Sequence, residues 1–273
     1  MPPKAQIQSV SNSMVKHAYS LKSARKIREQ EDFLCEGFHL VEEAQKSGLH
    51  FRFIFGTKEA WLTPEGQRIE TIAHREKTKT FEAPSKIIAY MSDTVTPQGL
   101  VAVVQKREPA WPPDNSRLIL ALCQIQDAGN LGTLLRSAEA FGVQGVFLTE
   151  GSVDPYNPKV VRSSMGSLFR IPVMSGLTWE KVKEWADEKK VSMVGLTGMA
   201  EQSLLDIDRK KPALLWIGSE GDGLPAELLN SCAVRIRIPM QGQVESLNAG
   251  IAGSVAVFWY FTGGQGFDTP KGE

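Results

Sequence analysis

Short apolar runs bounded by turn residues alternate along this chain with stretches whose apolar side chains recur every third or fourth position. These are the signatures of strands and helices respectively. In the first third, a polar, basic helix is predicted from about Asn12 to Gln30, followed by FLCEG as a short strand and HLVEEAQK as a helix. FRFIFG and GLVAVVQ read as strands, with PSKIIAYM as a helix between them. Further on, LILALCQI, GVFLT, VSMVGLT, ALLWIGS and VRIRIPM read as strands, the first of them buried because it is continuously apolar. Residues 130–141 place Leu131, Leu134, Leu135, Ala138 and Phe141 at helical spacing, with Gly142 just past the end. TWEKVKEWADEKK is a surface helix and SLNAGIAGSVAVFWYF a terminal one. In the terminal helix Leu247, Ile251, Val255, Phe258 and Trp259 define an apolar face. Ala249, Gly250, Ala252 and Gly253 keep the adjacent surface small, suited to close packing against a loop, a ligand or a second subunit.

Strands and helices interleave on both sides of the stretch from Arg107 to Asn115, where Pro109, Pro112 and Pro113 exclude a helix or a central strand. The pattern therefore predicts an α/β protein of two domains, residues 1–106 and 117–265, joined by a stiff linker over 107–116 and ending in a loose tail, 266–273. The five strands of the second domain suggest a mostly parallel sheet, whose ligands bind outside the carboxyl ends of the strands.

Composition narrows the picture. A chain of 273 residues with 42% hydrophobic and 23% charged positions is an ordinary globular one. Its formal net charge is zero, so any nucleic-acid surface must come from local clustering. Residues 1–28 supply such a cluster, with Lys4, Lys16, Lys22, Arg25, Lys26 and Arg28 and no acid. Cys35, Cys123 and Cys232 sit in or beside apolar runs and read as buried thiols of a reducing compartment. The four histidines fall in the first third with no ligand spacing, so no metal site is expected. No apolar run approaches the roughly 20 residues of a membrane span. The acid-free start resembles a transit peptide, but Pro2 and Pro3 oppose a helix there, and a cytoplasmic location is expected.

Three loops carry the candidate chemistry. The first, Gln126 to Arg136, leaves a strand and opens a helix, where free backbone N–H groups favour anionic or polar ligands. Taken singly, Asn130 reads equally well as a helix cap and Arg136 as a solvated arginine. The second, Ile217 to Pro225, sets three glycines around Glu220 and Asp222, giving either a plain tight turn or a main chain that hugs a flat ligand. The third, Ile238 to Asn248, delivers Ser246 and Asn248 to the terminal helix, with capping by Ser246 as its plain explanation. Three polar turns after strands of one sheet are expected to converge on one crevice.

These loops lie in segments that carry a resemblance. DAGNLGTLLRSAEAFGVQGV, VDPYNPKVVRSSMGSLFRIPV, IGSEGDGL and IPMQGQVESLNAGIAGSVAVF resemble, in order, the signatures of the SpoU (TrmH) group of SPOUT-class, S-adenosylmethionine-dependent RNA ribose 2′-O-methyltransferases. The N-terminal half, from SVSNSMVKHAYS to FHLVEEA, is similar to the small α/β substrate-binding domain that many members carry. The resemblance implies a C-terminal SPOUT-type, trefoil-knotted parallel-sheet domain with a smaller N-terminal α/β RNA-binding domain, and a homodimer formed through the C-terminal domain. It implies that S-adenosylmethionine is cradled by Leu196, Thr197 and Gly198, by Gly218, Glu220 and Gly221, and by Ile238 and Met240, with Leu247 and Asn248 closing the site. It marks Asn130, Arg136, Glu220, Ser246 and Asn248 as the polar functional set. The chain departs from the group's pattern at Ala128, where proline is usual, at Ser219, where asparagine is common, and at Ala249-Gly250-Ile251.

Methyl transfer from a sulfonium needs neither metal nor covalent nucleophile, because the cofactor supplies both electrophile and leaving centre. A guanidinium is never deprotonated in proteins, so Arg136 is expected to grip a phosphate and stabilise alkoxide charge while Asn130, Ser246 or water orients the hydroxyl. With the resemblance, Lys16, Lys22, Arg25, Lys26 and Arg28 become candidates for RNA capture. The expected substrate is ribosomal RNA, 23S in particular. The alternatives are a transfer-RNA ribose methyltransferase and a non-catalytic RNA-binding protein of the same fold.

Overall fold

The computed structural model describes residues 4–114, 116–241 and 246–263. The tail expected over 266–273 lies outside them. The chain forms two compact units: residues 1–108 with 154–170, and residues 109–153 with 171–273.

The first unit is built on a five-stranded mixed sheet. Its elements in order are β1 (Ala5–Gln6), α1 (Ser13–Ser20), α2 (Ala24–Glu29), β2 (Asp32–Glu36), α3 (Phe38–Lys46), β3 (Phe51–Gly56), α4 (Lys58–Leu62), α5 (Pro64–Arg75), β4 (Lys79–Glu82), α6 (Ser85–Met91) and β5 (Leu100–Gln105). The strand order is β1-β4-β3-β5-β2, with β5 antiparallel to both its neighbours. The single helix predicted over residues 12–30 is instead two. Leu21 closes α1 and is fully buried, while the neighbouring Lys22 Nζ donates to the Ser92 carbonyl at 2.6 Å, so the chain turns there before Ser23 opens α2. The stretch from 57 to 82 holds α4, α5 and β4, none of which the pattern predicts. In α5 only Gly66, Ile69 and Ala73 are buried, too thin a stripe to read.

Residues 154–170, expected in the C-terminal domain, cluster with the first unit, carrying α8 (Pro158–Ser163). The reason is local packing and charge. Tyr156 and Phe169 pack on Phe33 with ring centroids 4.9 and 5.8 Å apart. Arg162 pairs with Asp93 at 2.9 Å and Arg170 with Glu43 at 2.6 Å.

The second unit contains β6 (Leu118–Leu122), α7 (Ala128–Ala140), β7 (Val146–Thr149), β8 (Val173–Leu177), α9 (Trp179–Lys189), β9 (Ser192–Leu196), β10 (Gln202–Ser203), β11 (Ala213–Ile217), α10 (Ala226–Ser231), β12 (Val234–Arg237) and α11 (Ala249–Thr262). Its sheet has seven strands rather than the five predicted, in the order β10-β12-β9-β11-β6-β7-β8, and its pairings are parallel. All five residues of both β6 and β11 are buried, as continuous apolar runs require in a sheet covered on both faces. All three cysteines are buried and unpaired, and burial pushes the Cys232 thiol up to about 11. The linker docks on this unit: Trp111 stacks on Trp185, and Asp114 pairs with Lys189 at 2.9 Å.

The terminal helix corrects the predicted orientation. Ile251, Val255 and Phe258, read as its apolar face, are 53%, 39% and 42% exposed, and Ala249, Gly250, Gly253 and Ala256, with Val257 and Tyr260, form the buried side. Close approach of α7 accounts for this. A Cβ on Gly253 would stand 2.3 Å from Leu134 Cδ2, and Ser254 Oγ lies 2.7 Å from Ser137 Oγ. Among the described residues no helix is long and apolar enough to cross a membrane.

Candidate active site

β12, β9, β11 and β6 are neighbours running the same way, so their carboxyl ends share one edge of the sheet. A cavity of about 570 Å³ opens there, within the range of small-molecule sites. The turn after β9 contributes Leu196, Thr197 and Gly198; the turn after β11 contributes Gly218, Glu220 and Gly221; the turn after β12 contributes Ile238 and Met240. Ser246 and Leu247 complete the wall. The sequence-predicted set is thus gathered at one place, apart from Asn130, Arg136 and Asn248, which do not line the cavity. Sequence reasoning missed Met199, Leu224 and Leu229 as further lining, while Ser219 and Asp222 belong to the second loop it had singled out. Most of them belong to the same glycine-bearing turns, so the signal was the turn rather than the single residue.

Local rules explain the shape. The turn after β11 folds back on itself: Ser219 and Gly223 exchange N–H···O bonds of 3.2 Å, and Asp222 N–H donates to Ser219 Oγ at 3.2 Å. Gly218 is obligatory in this turn, since a Cβ there would fall 2.1 Å from the Gly223 carbonyl carbon. Gly198 and Gly221 are different. A Cβ on either would meet no protein atom within 4 Å, so these glycines leave open space at the cavity wall. The turn after β9 is held by Thr197 N–H donating to the Ile236 carbonyl at 2.9 Å.

The helix-capping alternatives resolve in favour of other residues. Asp127, not Asn130, caps α7, accepting from Asn130 N–H at 2.8 Å. Asn248, not Ser246, caps α11, accepting from Ile251 N–H at 3.2 Å. The Asn130 side chain is therefore free to reach across, and its Nδ2 donates to Glu220 Oε1, tying the first loop to the second. Gly250 makes room for this arrangement, because a Cβ there would sit 3.1 Å from both Asn130 Oδ1 and Asn248 Oδ1. Asn130, Glu220 and Asn248 thus form one polar group beside the cavity. Arg136, in the middle of α7, is exposed, and no hydrogen bond or ion pair to it is found among the described residues.

The electrostatics are one-sided. Glu220 and Asp222 are the charged residues among those lining the cavity. Apolar Leu196, Ile217, Leu224 and Ile238 offer a surface for a flat ring. Such a mixture fits a ligand with an aromatic portion and a positive charge, held by main chain.

The basic residues of the first unit are differently placed. Arg25 and Lys26 both pair with Glu29, at 2.7 and 2.8 Å, and these partners hold its carboxyl below its ordinary value. Lys22 is occupied by the carbonyls of Tyr90, in the last turn of α6, and Ser92, just after it. Lys16 and Arg28 are exposed, with no ion pair among the described residues.

Comparison with known proteins places this geometry. Residues 117–258 match the SpoU rRNA methylase family, and residues 12–102 match an MRM3-like substrate-binding domain. A 23S rRNA (guanosine-2′-O)-methyltransferase of Bacillus subtilis, RlmP, is 32% identical, the alignment covering 93% of this chain and 98% of that one. An uncharacterised tRNA/rRNA methyltransferase of Synechocystis is 34% identical, covering 93% and 92%. The AdoMet-bound structure of an rRNA methyltransferase from Sinorhizobium meliloti superposes with a TM-score of 0.83 at 28% identity, covering 93% of this chain and 96% of that one.

Proposed function

We propose that this chain, which belongs to the SpoU rRNA methylase family, transfers a methyl group from S-adenosylmethionine to a ribose 2′-hydroxyl of ribosomal RNA, with 23S rRNA as substrate. The observation that carries the reading is the cavity walled by the turns after β9, β11 and β12, with Asn130 tied to Glu220 at its side. The main chain around Gly198 and Gly221 has the open space a bound cofactor needs, and the carboxylates of Glu220 and Asp222 complement a sulfonium. When bound, S-adenosylmethionine supplies an electrophilic methyl on a cationic leaving centre.

The remaining work falls to side chains. Asn130 spends its amide N–H on Glu220, which leaves Oδ1 to accept from a ribose hydroxyl and orient it. Ser246, on the cavity wall, offers a second hydroxyl contact. Asn248 holds the start of α11 and with it the closing segment. Arg136 stays charged throughout; it grips a substrate phosphate and stabilises the alkoxide as the proton leaves, a positioning and charge effect of several kcal/mol in favourable sites.

Three further features belong to the same proposal. A second copy of the chain covers the exposed Ile251, Val255 and Phe258 of α11, which recur at helical spacing on one face. Trefoil threading of the C-terminal segment is supported by the place of the late strand β12 inside the sheet, beside β9. A cytoplasmic location is supported by three buried, unpaired thiols.

Calorimetry tests the cofactor assignment. S-adenosylmethionine should bind one per chain, and Gly198→Leu, which adds bulk at a cavity-wall position where a Cβ has open space, should abolish binding while the melting temperature holds. Undiminished binding by Gly198→Leu would remove the cavity from the mechanism.

A further inference from the structure

The N-terminal unit exposes a pair of aromatic rings that its core does not require. Tyr19 on α1 and Tyr90 on α6 stack with centroids 4.3 Å apart and planes 12° apart, yet they remain 45% and 37% exposed. The two helices are already joined beneath them by Val15, Ala18, Leu21, Ile87, Ile88 and Met91, all buried in one cluster. No hydrogen bond to either phenol oxygen is found among the described residues. Flat aromatic surface held towards solvent is what proteins use to receive unpaired nucleic-acid bases, whose own faces are free to stack.

The charge around the pair has the matching sign. Lys22 Nζ lies 5.2 Å from the centroid of the Tyr19 ring, and its bonds to the carbonyls of Ser92 (2.6 Å) and Tyr90 (3.5 Å) pin the ammonium beside the stack. Lys16 precedes Tyr19 by one turn on α1, and Lys86 precedes Tyr90 by one turn on α6. Both lysines are exposed, neither has an ion pair among the described residues, and neither helix contains an acid. An aromatic step framed by three cations, on two helices that carry no acid, suits a base together with its flanking phosphates.

We propose that Tyr19 and Tyr90, with Lys16, Lys22 and Lys86, form a stacking platform for an unpaired base of the RNA substrate. This rests on the RNA-methyltransferase reading and adds a property of the substrate to it: the nucleotide captured here is single-stranded. Duplex RNA hides its base faces and gains nothing from the platform.

The test measures binding of a fluorescent single-stranded RNA and of a blunt-ended two-strand duplex RNA to the full-length chain by anisotropy. Tyr19→Leu/Tyr90→Leu keeps apolar bulk but removes both rings; it should weaken single-strand binding about tenfold or more, the loss of one base stack, with the duplex little affected. Tyr19→Phe/Tyr90→Phe should bind within about twofold of the parent, a span set by an unchanged π-face. The unaltered chain, irradiated with RNA carrying 5-iodouridine, should give adducts at Tyr19 or Tyr90, a readout that needs no variant to fold. Parent-like single-strand binding by the leucine pair, or adducts confined to other residues, overturns the platform and leaves the methyltransferase reading standing. Failure of the parent chain to bind any RNA overturns the substrate reading, and the platform with it.

Discussion

In the C-terminal unit every strand pairing is parallel, so the turns after β9, β11 and β12 leave the sheet along one edge and close around a common cavity. In the N-terminal unit β5 runs antiparallel to β2 and β3, and the strand ends are divided between both edges. There the exposed cations and the tyrosine pair lie on the outer surfaces of helices instead. On the proposed reading, strand direction separates cofactor binding from RNA capture. A parallel edge builds a concave, main-chain-lined site for a small cofactor, and a mixed sheet leaves its helices to present a surface to a polymer.

That division is broken most forcefully at Gly218. Gly218→Ala puts a methyl into the Gly223 backbone, so the turn that lines the cavity must move, and S-adenosylmethionine affinity should fall about 100-fold in calorimetry while RNA affinity is retained. Loss of RNA binding in the same variant would show that the two functions are not separate. Arg136→Lys comes next. Turnover should fall about 100-fold with cofactor affinity unchanged, since charge is kept but the planar fork is lost. Turnover that survives Arg136→Lys but is abolished by Asn130→Ala would reassign the main role to Asn130.

Smaller effects sharpen the comparison. Glu220→Ala removes the acceptor for Asn130 and should lower turnover about tenfold, whereas Glu220→Gln, which can still accept, should do less harm in the same assay. Gly253→Ala presses on the tip of Leu134 and should cost about 1–2 kcal/mol in urea melts. Smallest are the surface charges. Neutralising Lys16 and Arg28 together should flatten the salt dependence of RNA binding by about 0.7 per lost phosphate contact, and neutralising Arg25 and Lys26 less, because Glu29 already engages both. Equal slopes for the two pairs would contradict the ion pairing seen here.

The site was more legible than its wiring. The turns GSEGDG and PMQG follow directly on apolar strands, and glycine there needs a backbone reason, so their convergence could be read from spacing and fold class, whereas the GLTG turn was implied only by the family resemblance. The bond between Asn130 and Glu220 could not, because it depends on β6 and β11 being neighbours in the sheet. Asp127 and Asn130 are both good capping types three residues apart, and only the backbone decides between them. In α11 the bulky residues looked like the buried face, but contact with α7 selects for the smallest side chains. The extra strands were silent for simple reasons: β10 has two residues, and β8 buries only Leu177. The tyrosine pair escaped notice because each ring looks ordinary until α1 and α6 are placed side by side.

The central claim is that this fold methylates a ribose hydroxyl. The direct measurement is to incubate the purified chain with isotopically labelled S-adenosylmethionine and unmodified 23S rRNA, then map the label by alkaline hydrolysis and mass spectrometry. The account predicts one alkali-resistant dinucleotide bearing a 2′-O-methyl group, absent with Arg136→Ala. Label on a base, or full incorporation by Arg136→Ala, would contradict it.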